Sequence, residues 1–417
     1  MFLAKRLTSQ HYFELVHIIF VGIQIAIFQY PIPTARYMRC KTNRFNNFNK
    51  ISGEFSGAFA DLGTFLPLVL GLIALNQFSP QGIFLGFGCF AIFTAFYYRR
   101  PIPIQPMKVI SALVIAEGLT PGMLQASAML MGGILLILAY SGIIQWMAKQ
   151  LSPAISIGIQ LAIGIQLMWM GGFMMSETWG VGLLAFGILF LSRFMPMQYL
   201  VMPLVIFLGI LWQLFSQSSP NFDFTQTTGW QFSWPESNEW SSAALLLVLP
   251  QLALTLTNAV IAISAMAKDK FPEDSDKFTP QAFAKTSGWS NLLMAPFGGA
   301  AMCHGAGGLA VQHHFGARTW LAPAIFGGTC LFIAIFWGQG IATVLSLIPL
   351  AVLGSLLAIA GTQLAWSKRF IDGKPFCIFV IFSTALACLA INTAVGLAVG
   401  VVLELGRNQW LQLSASK

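Results

Sequence analysis

The amino-acid sequence predicts an all-α membrane protein whose fourteen transmembrane spans form two inverted repeats of seven. Composition is the first reason: 56% of the 417 residues are hydrophobic and 9% are charged, against about 25% charged residues in an ordinary globular protein. The second reason is that apolar runs of about 20 residues, long enough to cross a bilayer, recur from Ile51 to Trp410. The third is an internal repeat at a spacing of 196 residues.

Turn signals divide the apolar runs into two series of seven candidate spans. The first series is 51–77, 80–98, 103–118, 121–147, 152–173, 177–192 and 198–215. The second series is 241–267, 280–296, 298–316, 319–338, 341–362, 375–390 and 392–410. The chain is thus divided into an N-terminal extension (1–50), a first repeat (51–215), a loop (216–240), a second repeat (241–411) and a short tail (412–417).

Basic residues orient the spans, because cytosolic loops of membrane proteins carry an excess of Lys and Arg. With the residues before Ile51 in the cytosol, one set of alternate loops holds Arg99, Arg100, Lys149, Arg193, Lys268, Lys270, Arg318, Lys368, Arg369, Lys374 and Arg407. The longest loop on the other side, 216–240, has no Lys or Arg and contains Trp230, Trp234 and Trp240 as interface anchors. We expect a multi-pass protein of the cell membrane, with both ends of the fourteen-span core in the cytosol.

The N-terminal extension has two interpretations. Lys5 and Arg6 precede the apolar run LVHIIFVGIQIAIF, which is typical of a signal-peptide core or of a short additional span. A basic stretch follows from Arg36 to Lys50, and Met38 is an alternative start. The extension is therefore either a helix at or in the membrane or translated sequence upstream of the native start, and the sequence leaves both open.

Several function classes are excluded by what the sequence lacks. The net charge of +8 comes from scattered Lys and Arg and not from a continuous basic face, so nucleic acid is not an expected partner. The six cysteines show no CxxC spacing, which argues against a disulfide framework and a zinc site. Walker A and HExxH motifs are missing. We expect no cofactor, no bound metal, no enzymatic activity and no ATP-driven transport by this chain alone.

The internal repeat links the two series of spans. LSPAISIGIQLAI at 151–163 and LIPLAVLGSLLAI at 347–359 share six residues at an offset of 196. Each copy opens the fifth span of its half, and the same offset aligns 105–118 with 301–314 and Lys108 with His304. Because each half has an odd number of spans, the halves have opposite orientations in the membrane, as in many secondary transporters.

The third and tenth spans are predicted to be half strand and half helix. In PIPIQPMK, prolines at 101, 103 and 106 keep the chain extended until a helix begins at about Pro106. In FGGAAMCHGAGG, the glycines at 298 and 299 allow an extended stretch, with a helix from about Cys303. Inverted halves bring both helix N-termini to the midplane, where free N–H groups and partial positive charge form an anion site.

Four sequence motifs resemble those of the molybdate transporter type 1 family, which is related to the SulP inorganic anion transporters. They are GAFADLGTFLP (57–67), PIQPMK (103–108), PQLALTLTNAVIA (250–262) and HGAGGLAVQHHFGAR (304–318). The first motif departs from the family at Ala60, where a glycine is expected. The resemblance covers about 51–410 and implies a core of spans one to four and eight to eleven that moves against a gate of the remaining spans. No STAS domain is expected after Trp410.

Candidate substrate ligands lie on four predicted spans. They are Thr64; Gln105, Pro106, Met107 and Lys108; Gln251, Thr257 and Asn258; and Cys303, His304 and Gly305. The amide and hydroxyl side chains can donate hydrogen bonds to an oxyanion, although holding packed helices together is the alternative for each. Lys108 in a first helical turn opposes the helix dipole unless an anion or carboxylate is nearby. His304 is expected to donate to the substrate, whereas His313 and His314 are expected to be structural.

Two acids on the first span are candidates for ion coupling. Asp61 and Glu54 lie seven residues apart, which would place them on one helical face, and ionisable groups within a membrane suggest function. Asp61 is expected to carry a proton or to hydrogen-bond the half-helix ends, and a structural cap is the alternative. Glu54 lies nearer the cytosolic surface, with an interfacial or a gating role.

These residues and the resemblance lead to one main functional hypothesis. The protein is expected to be a secondary transporter of a tetrahedral oxyanion, molybdate before sulfate, that works by an elevator-type movement of the core. The alternatives are a broader inorganic anion transporter, a nucleobase permease and a passive anion channel. A permease would favour a carboxylate where Thr257 and Asn258 stand. The expected partners are the lipid bilayer and a co-transported proton, with a homodimer as an assembly to consider.

Overall fold

The computed structural model describes residues 46–144, 146, 152–192, 198–216, 232–336, 344, 345, 347–366 and 375–415. The chain divides into two compact units, Met1–Asn46 and Asn47–Lys417, and the elements named here belong to the second apart from the first residue of α1. The N-terminal extension before residue 46 and most of the 216–240 loop, including Trp230, lie outside the described residues. So do Lys149, Arg193, Lys368, Arg369 and Lys374, together with the last two residues of the tail.

Each predicted span contains at least one helix. The first half holds α1 (Asn46–Phe59), α2 (Leu62–Asn76), α3 (Pro80–Tyr98), β1 (Gln105–Pro106), α4 (Lys108–Glu117), α5 (Pro121–Ser141), α6 (Pro153–Met175), α7 (Trp179–Ser192) and α8 (Gln198–Phe215). The second half holds α9 (Ser237–Lys270), α10 (Pro280–Met294), β2 (Met302–Cys303), α11 (Ala306–His314), α12 (Leu321–Phe336), α13 (Leu350–Ala365), α14 (Pro375–Ala390) and α15 (Thr393–Ala415).

Helix length and composition identify fewer membrane crossings than the sequence predicts. In the described ranges, four helical stretches are long and apolar enough to cross a bilayer, or five if the bent pair α1 and α2 counts as one span. Further apolar helices, among them α12, α13 and α14, are shorter than 18 residues. The fourteen-span inverted repeat therefore stays a prediction.

The first predicted span is broken, which corrects one expectation. α1 ends at Phe59, α2 begins at Leu62, and the two helices are bent by 40°. Asp61 is the residue immediately before α2. The expectation that Glu54 and Asp61 share one helical face is wrong, because that periodicity requires an unbroken helix.

Two short, buried strands pair with each other. β1 and β2 are antiparallel, with Gln105 opposite Cys303 and Pro106 opposite Met302. A helix follows each strand within three residues, α4 after β1 and α11 after β2. The helices begin later than expected, at Lys108 and Ala306, because Pro106 and Cys303 belong to the strands. Lys108 is the first residue of α4, whereas His304 lies two residues before α11.

The repeat-related helices α6 and α13 pack closely through glycine. A Cβ atom on Gly164 would lie 2.6 Å from the carbonyl oxygen of Gly361, and a Cβ atom on Gly361 would lie 2.6 Å from that of Gly164. Only glycine allows two helix backbones to approach so closely. This reciprocal contact joins the two helices that open the fifth span of each predicted half.

Candidate functional site

A pocket lies beside the first turn of α4, where that helix faces α9. The room in it for a water-sized group is about 10 Å³, on the order of one water site. It is lined by Gln105, Lys108, Gln251, Leu254, Thr255, Asn258, Ala259 and Cys303. We call it the α4–α9 pocket. Five of these residues, Gln105, Lys108, Gln251, Asn258 and Cys303, were candidates from the sequence.

Lys108 brings a positive charge to this pocket, and the carboxyl group of Asp61 is near enough to attract it. Lys108 is the first residue of α4 and is partly buried. No hydrogen bond or ion pair to its ammonium group is formed by any residue that the structure describes. A cation at a helix N-terminus opposes the helix dipole, and partial burial adds the cost of losing water. An anion in the pocket would offset both costs.

α9 contributes one helical face to the pocket. Its residues Gln251, Thr255 and Asn258 all line the pocket, and α-helical geometry widens to a π-helix over Thr255–Ala262. Such π segments are rare and often occur at functional sites. The side-chain amide of Asn258 forms no hydrogen bond within the described part of the chain. Asn258 therefore presents a free hydrogen-bond donor to the space beside Lys108.

Thr255 was missed by the sequence analysis. It lies four residues after Gln251 and three before Asn258, so the helical period alone places it on the same face. Leu254 and Ala259, which complete this wall, follow the same period. The predicted ligand Thr257 lies off that face, and its hydroxyl donates to the carbonyl oxygen of Ala253 at 2.9 Å.

Gln105 connects the pocket to Asp61. Its Nε2 atom donates a hydrogen bond to Oδ2 of Asp61, and its side chain is 2% exposed. α11 approaches this pair through Gly308, where a Cβ atom would lie 2.5 Å from Nε2 of Gln105 and 2.7 Å from Oδ2 of Asp61. Asp61 does not line the pocket itself. It lies one side chain behind the pocket wall.

Both polar atoms of the Gln251 side chain already form hydrogen bonds. Its Oε1 atom accepts hydrogen bonds from the backbone N–H groups of Val109 at 2.9 Å and Ile110 at 3.3 Å. Its Nε2 atom donates to Oγ1 of Thr255 at 2.9 Å. The expectation of free N–H groups at both half-helix ends is therefore wrong for α4, because Gln251 occupies two of them.

The first turn of α11 differs from that of α4. No acceptor for the backbone N–H groups of Ala306, Gly307 and Gly308 is present among the described residues. The space beside Gly307 is open, since a Cβ atom there would meet nothing within 4 Å. The two half-helix ends are thus unequal: α4 is capped and carries a lysine, whereas α11 is uncapped and rich in glycine.

His304 is placed differently from the expectation. The side chain is fully buried, with its Nδ1 atom 3.1 Å from the carbonyl oxygen of Pro103 and its Nε2 atom 2.8 Å from Oγ1 of Thr286. Since a carbonyl can only accept, Nδ1 carries the proton, and Nε2 of the neutral ring accepts from Thr286. The rings of Phe90 and Phe283 pack against it. Both ring nitrogens are occupied, so His304 has none to offer a substrate.

The other backbone candidates lie in or next to the paired strands β1 and β2. Pro106 is the last residue of β1, and the N–H of Met107 donates to Ala301 at 2.8 Å. Gly305 is the residue before α11. None of these three lines the pocket. They belong to the backbone that links each strand to the helix after it.

Thr64 and Glu54 also lie away from the pocket lining. Thr64 is in the first turn of α2, with its N–H bonded to the carbonyl oxygen of Asp61 at 3.0 Å. Oε1 of Glu54 accepts from the backbone N–H groups of Arg318 at 3.0 Å and Thr319 at 2.9 Å. Glu54 therefore anchors α1 to the segment that follows α11.

Asn291 on α10 holds β2 in place and was not singled out from the sequence. Its Oδ1 atom accepts from the N–H of Met302 at 2.8 Å, and its Nδ2 atom donates to the carbonyl oxygen of the same residue at 2.6 Å. This two-point contact satisfies backbone groups on the side of β2 that β1 does not pair. A single asparagine in a helix gives no sequence signal that its side chain will hydrogen-bond a distant strand.

Known proteins match this chain over most of its length. The family described as "Molybdate transporter of MFS superfamily" matches residues 53–167 and 243–364, more than half of the chain. Molybdate transporter 2 of Arabidopsis thaliana is 26% identical over 411 residues, which cover 86% of this chain and 87% of the relative. Molybdate transporter 1 of Chlamydomonas reinhardtii is 26% identical over 473 residues, which cover 84% and 90%.

Solved structures with a similar fold include those of two transporters. The transmembrane domain of the cyanobacterial bicarbonate transporter BicA has a TM-score of 0.58 at 17% identity and covers 86% of this chain and 99% of that domain. The murine anion transporter Slc26a9 in its inward-facing state has a TM-score of 0.66 at 14% identity and covers 94% and 75%. At these identities the likeness concerns the fold alone. By the family match over more than half of its length, the chain belongs to the molybdate transporter family, and it is a multi-pass membrane protein and not an enzyme.

Proposed function

We propose that this protein is a secondary transporter that binds a tetrahedral oxyanion, molybdate before sulfate, in the α4–α9 pocket. One observation carries the proposal: the ammonium of Lys108 and the amide of Asn258 line the same pocket, and neither forms a hydrogen bond or ion pair within the described residues. A dianion would accept a charge-assisted hydrogen bond from the first and a neutral one from the second. The relatives named as molybdate transporters favour molybdate among such anions.

The proposed movement follows from the architecture that the sequence predicts. In this proposal the fourteen spans form two inverted halves, with both ends of the core in the cytosol and the protein in the cell membrane. The core, including α1–α5 and α9–α12, carries the pocket past a gate that contains α6 and α13. The antiparallel pairing of β1 and β2, each followed by a helix, supports the inverted halves. The close packing of α6 on α13 supports a gate that moves as one body.

Uptake by proteoliposomes tests the transport proposal. The purified full chain is reconstituted, and radiolabelled molybdate is supplied outside with an inward proton gradient, with empty liposomes as the control. We expect molybdate to accumulate above its external concentration. Equilibration without accumulation would indicate a passive channel. Unlabelled sulfate that inhibits uptake as strongly as unlabelled molybdate would contradict molybdate selectivity.

Asp61 is proposed to couple transport to a proton. An ionised carboxylate only accepts hydrogen bonds, whereas a protonated carboxyl can also donate. Protonation of Asp61 would therefore break or reverse its bond with Nε2 of Gln105 and would remove a negative charge from behind the pocket. Both changes favour an anion beside Gln105. Glu54 is left out of this step because it binds the backbone after α11.

The substitution Asp61→Asn tests proton coupling. Asparagine keeps an acceptor for Gln105 but cannot ionise, so uptake should no longer depend on the imposed proton gradient. Glu117→Gln, at the C-terminal end of α4 and outside the pocket lining, serves as the matched control and should keep the wild-type pH dependence. An Asp61→Asn variant with unchanged rate and pH dependence would defeat the proposal.

A further inference from the structure

Gln251 makes contacts that a substrate ligand would not need. Its side chain is 1% exposed, and it reaches from α9 to the first turn of α4, 142 residues away in sequence. There its Oε1 atom accepts from two consecutive backbone N–H groups, those of Val109 and Ile110. Thr255, one turn along α9, fixes the amide by accepting from Nε2 at 2.9 Å. The side chain thus serves as an N-terminal cap supplied by another helix.

The capped turn is the turn that carries Lys108. On one side of Lys108, the N–H of Met107 donates to the carbonyl oxygen of Ala301 at 2.8 Å. On the other side, Val109 and Ile110 donate to Gln251. The backbone is therefore held immediately before and immediately after the lysine. The lysine side chain itself forms no hydrogen bond or ion pair in the described part of the chain.

We propose that Gln251 is a positioning residue for the anion site, which acts by holding the first turn of α4 against α9 so that Lys108 and Asn258 face one pocket. Gln251 and Asn258 lie seven residues apart on α9, about two helical turns. One side chain therefore fixes the register between the helix that supplies the cation and the helix that supplies the amide. This inference rests on the proposed anion transport and deepens it.

A double-mutant cycle separates positioning from direct binding. Wild type, Gln251→Met, Lys108→Met and the double variant are purified as full chains, and molybdate affinity is measured by isothermal titration calorimetry. We expect Gln251→Met to weaken binding about fivefold to tenfold, the usual scale of a lost helix cap. We expect Lys108→Met to weaken it more. The double variant should bind no more than about twofold more weakly than Lys108→Met, because Gln251 acts through the lysine.

Additive losses in the double variant would overturn the proposal, because they would mean that Gln251 contributes independently of Lys108. An unchanged affinity of Gln251→Met would overturn it as well. Gln125→Met is the matched control, since Gln125 is a buried glutamine whose Nε2 atom donates to the carbonyl oxygens of Ser233 and Ala295. That substitution should lower the melting temperature and leave the affinity for molybdate unchanged.

Thr255→Val provides a second route if Gln251→Met does not fold. Valine has nearly the shape of threonine but cannot accept from Nε2 of Gln251, so the cap becomes less well fixed. A loss of about threefold in the wild-type background and none in the Lys108→Met background is expected. Equal losses in both backgrounds would overturn the proposal.

The wild-type titration tests the anion site separately from the role of Gln251. If wild type binds molybdate and the cycle is additive, the role of Gln251 is wrong and the anion site stands. If wild type binds sulfate but not molybdate, the substrate assignment is wrong, and the same cycle with sulfate decides the role of Gln251. If wild type binds neither anion, the proposed function and the inference both fail.

Discussion

Asp61, at the break between α1 and α2, accepts a hydrogen bond from Gln105 on β1. The acid lies behind the pocket wall, and the amide is part of that wall. Gly308 on α11 leaves the room that this pair needs. Residues from three distant segments therefore meet at one contact. Through this contact, the proposed protonation of Asp61 would change the hydrogen-bonding groups that the pocket presents.

The substitution Gly308→Ala should disrupt this contact. A methyl group there would come within 2.5 Å of Nε2 of Gln105 and 2.7 Å of Oδ2 of Asp61, and overpacking of this kind costs about 1–3 kcal/mol. We expect molybdate uptake to fall at least about tenfold. The neighbouring substitution Gly307→Ala meets open space and should leave uptake near wild type, with up to about 1 kcal/mol of added helix stability. Equal effects of the two changes on uptake would contradict the assigned contact.

The charge of Lys108 should be essential for anion binding. A hydrogen bond to a charged group contributes about 1.5–3 kcal/mol, so Lys108→Met should weaken molybdate binding by about tenfold to hundredfold. Lys108→Arg keeps the charge and should retain part of the affinity. Lys285, which lies 4.5 Å over the ring of Tyr140, offers a control lysine outside the pocket. If Lys285→Met weakened binding as much as Lys108→Met did, a specific role for Lys108 would be excluded.

Loss of the polar group should raise the KM for molybdate at Asn258 but not at Thr257. Asn258→Leu removes the unpaired amide from the pocket, and we expect the KM for molybdate uptake to rise about fivefold to tenfold, as for one neutral hydrogen bond. Thr257→Val should leave the KM unchanged, because the hydroxyl is already bonded to the carbonyl oxygen of Ala253. Initial rates in proteoliposomes measure both. A larger effect at Thr257 would mean that α9 turns its other face to the substrate.

Asp274 should make a pH-dependent contribution to stability. The hydrogen bond from Lys277 and then that from Arg100, both at 2.7 Å, hold the pKa of its carboxyl below the ordinary range. A depressed folded-state pKa stabilises the protein above the unfolded value of about 3.9, and this stability is lost as pH falls through the folded-state pKa.

Thermal unfolding at two pH values measures this contribution. At pH 7, Asp274→Asn should destabilise by about 1 kcal/mol, as expected for a partly exposed network of ion pairs. At a pH near 3, the difference from wild type should shrink. Asp276→Asn is the control, because Asp276 is exposed and forms no ion pair in the described ranges. A difference for Asp274→Asn that stayed constant with pH would contradict the assigned charge interaction.

Local backbone chemistry made part of the site predictable. Prolines at 101, 103 and 106 restrict the chain before α4, so an extended segment followed by a helix could be read from the sequence, with Gln105 and Lys108 at the junction. The helical period also places Gln251 and Asn258, seven residues apart, on one face, although the prediction had included Thr257 as well. These features depend on neighbours in the chain, which the sequence displays.

Features that depend on distant partners were not predictable. The break before Asp61 occurs where α1 packs on another segment: a Cβ atom on Gly57 would meet the backbone nitrogen of Ala317 at 3.0 Å. Gln251 looked like an oxyanion donor because the backbone N–H groups that donate to it lie on α4, more than 140 residues away in sequence, and were unknown. The expectation for His304 rested on sequence spacing, which does not show that Pro103 and Thr286 occupy both of its ring nitrogens.

The position of bound molybdenum tests the central claim most directly. Crystals of the full chain grown in saturating molybdate would be measured at the molybdenum absorption edge, and the anomalous difference map would locate the metal of the oxyanion. The account predicts one peak in the α4–α9 pocket, between Lys108 and Asn258. A peak elsewhere in the protein, with this pocket empty, would contradict it.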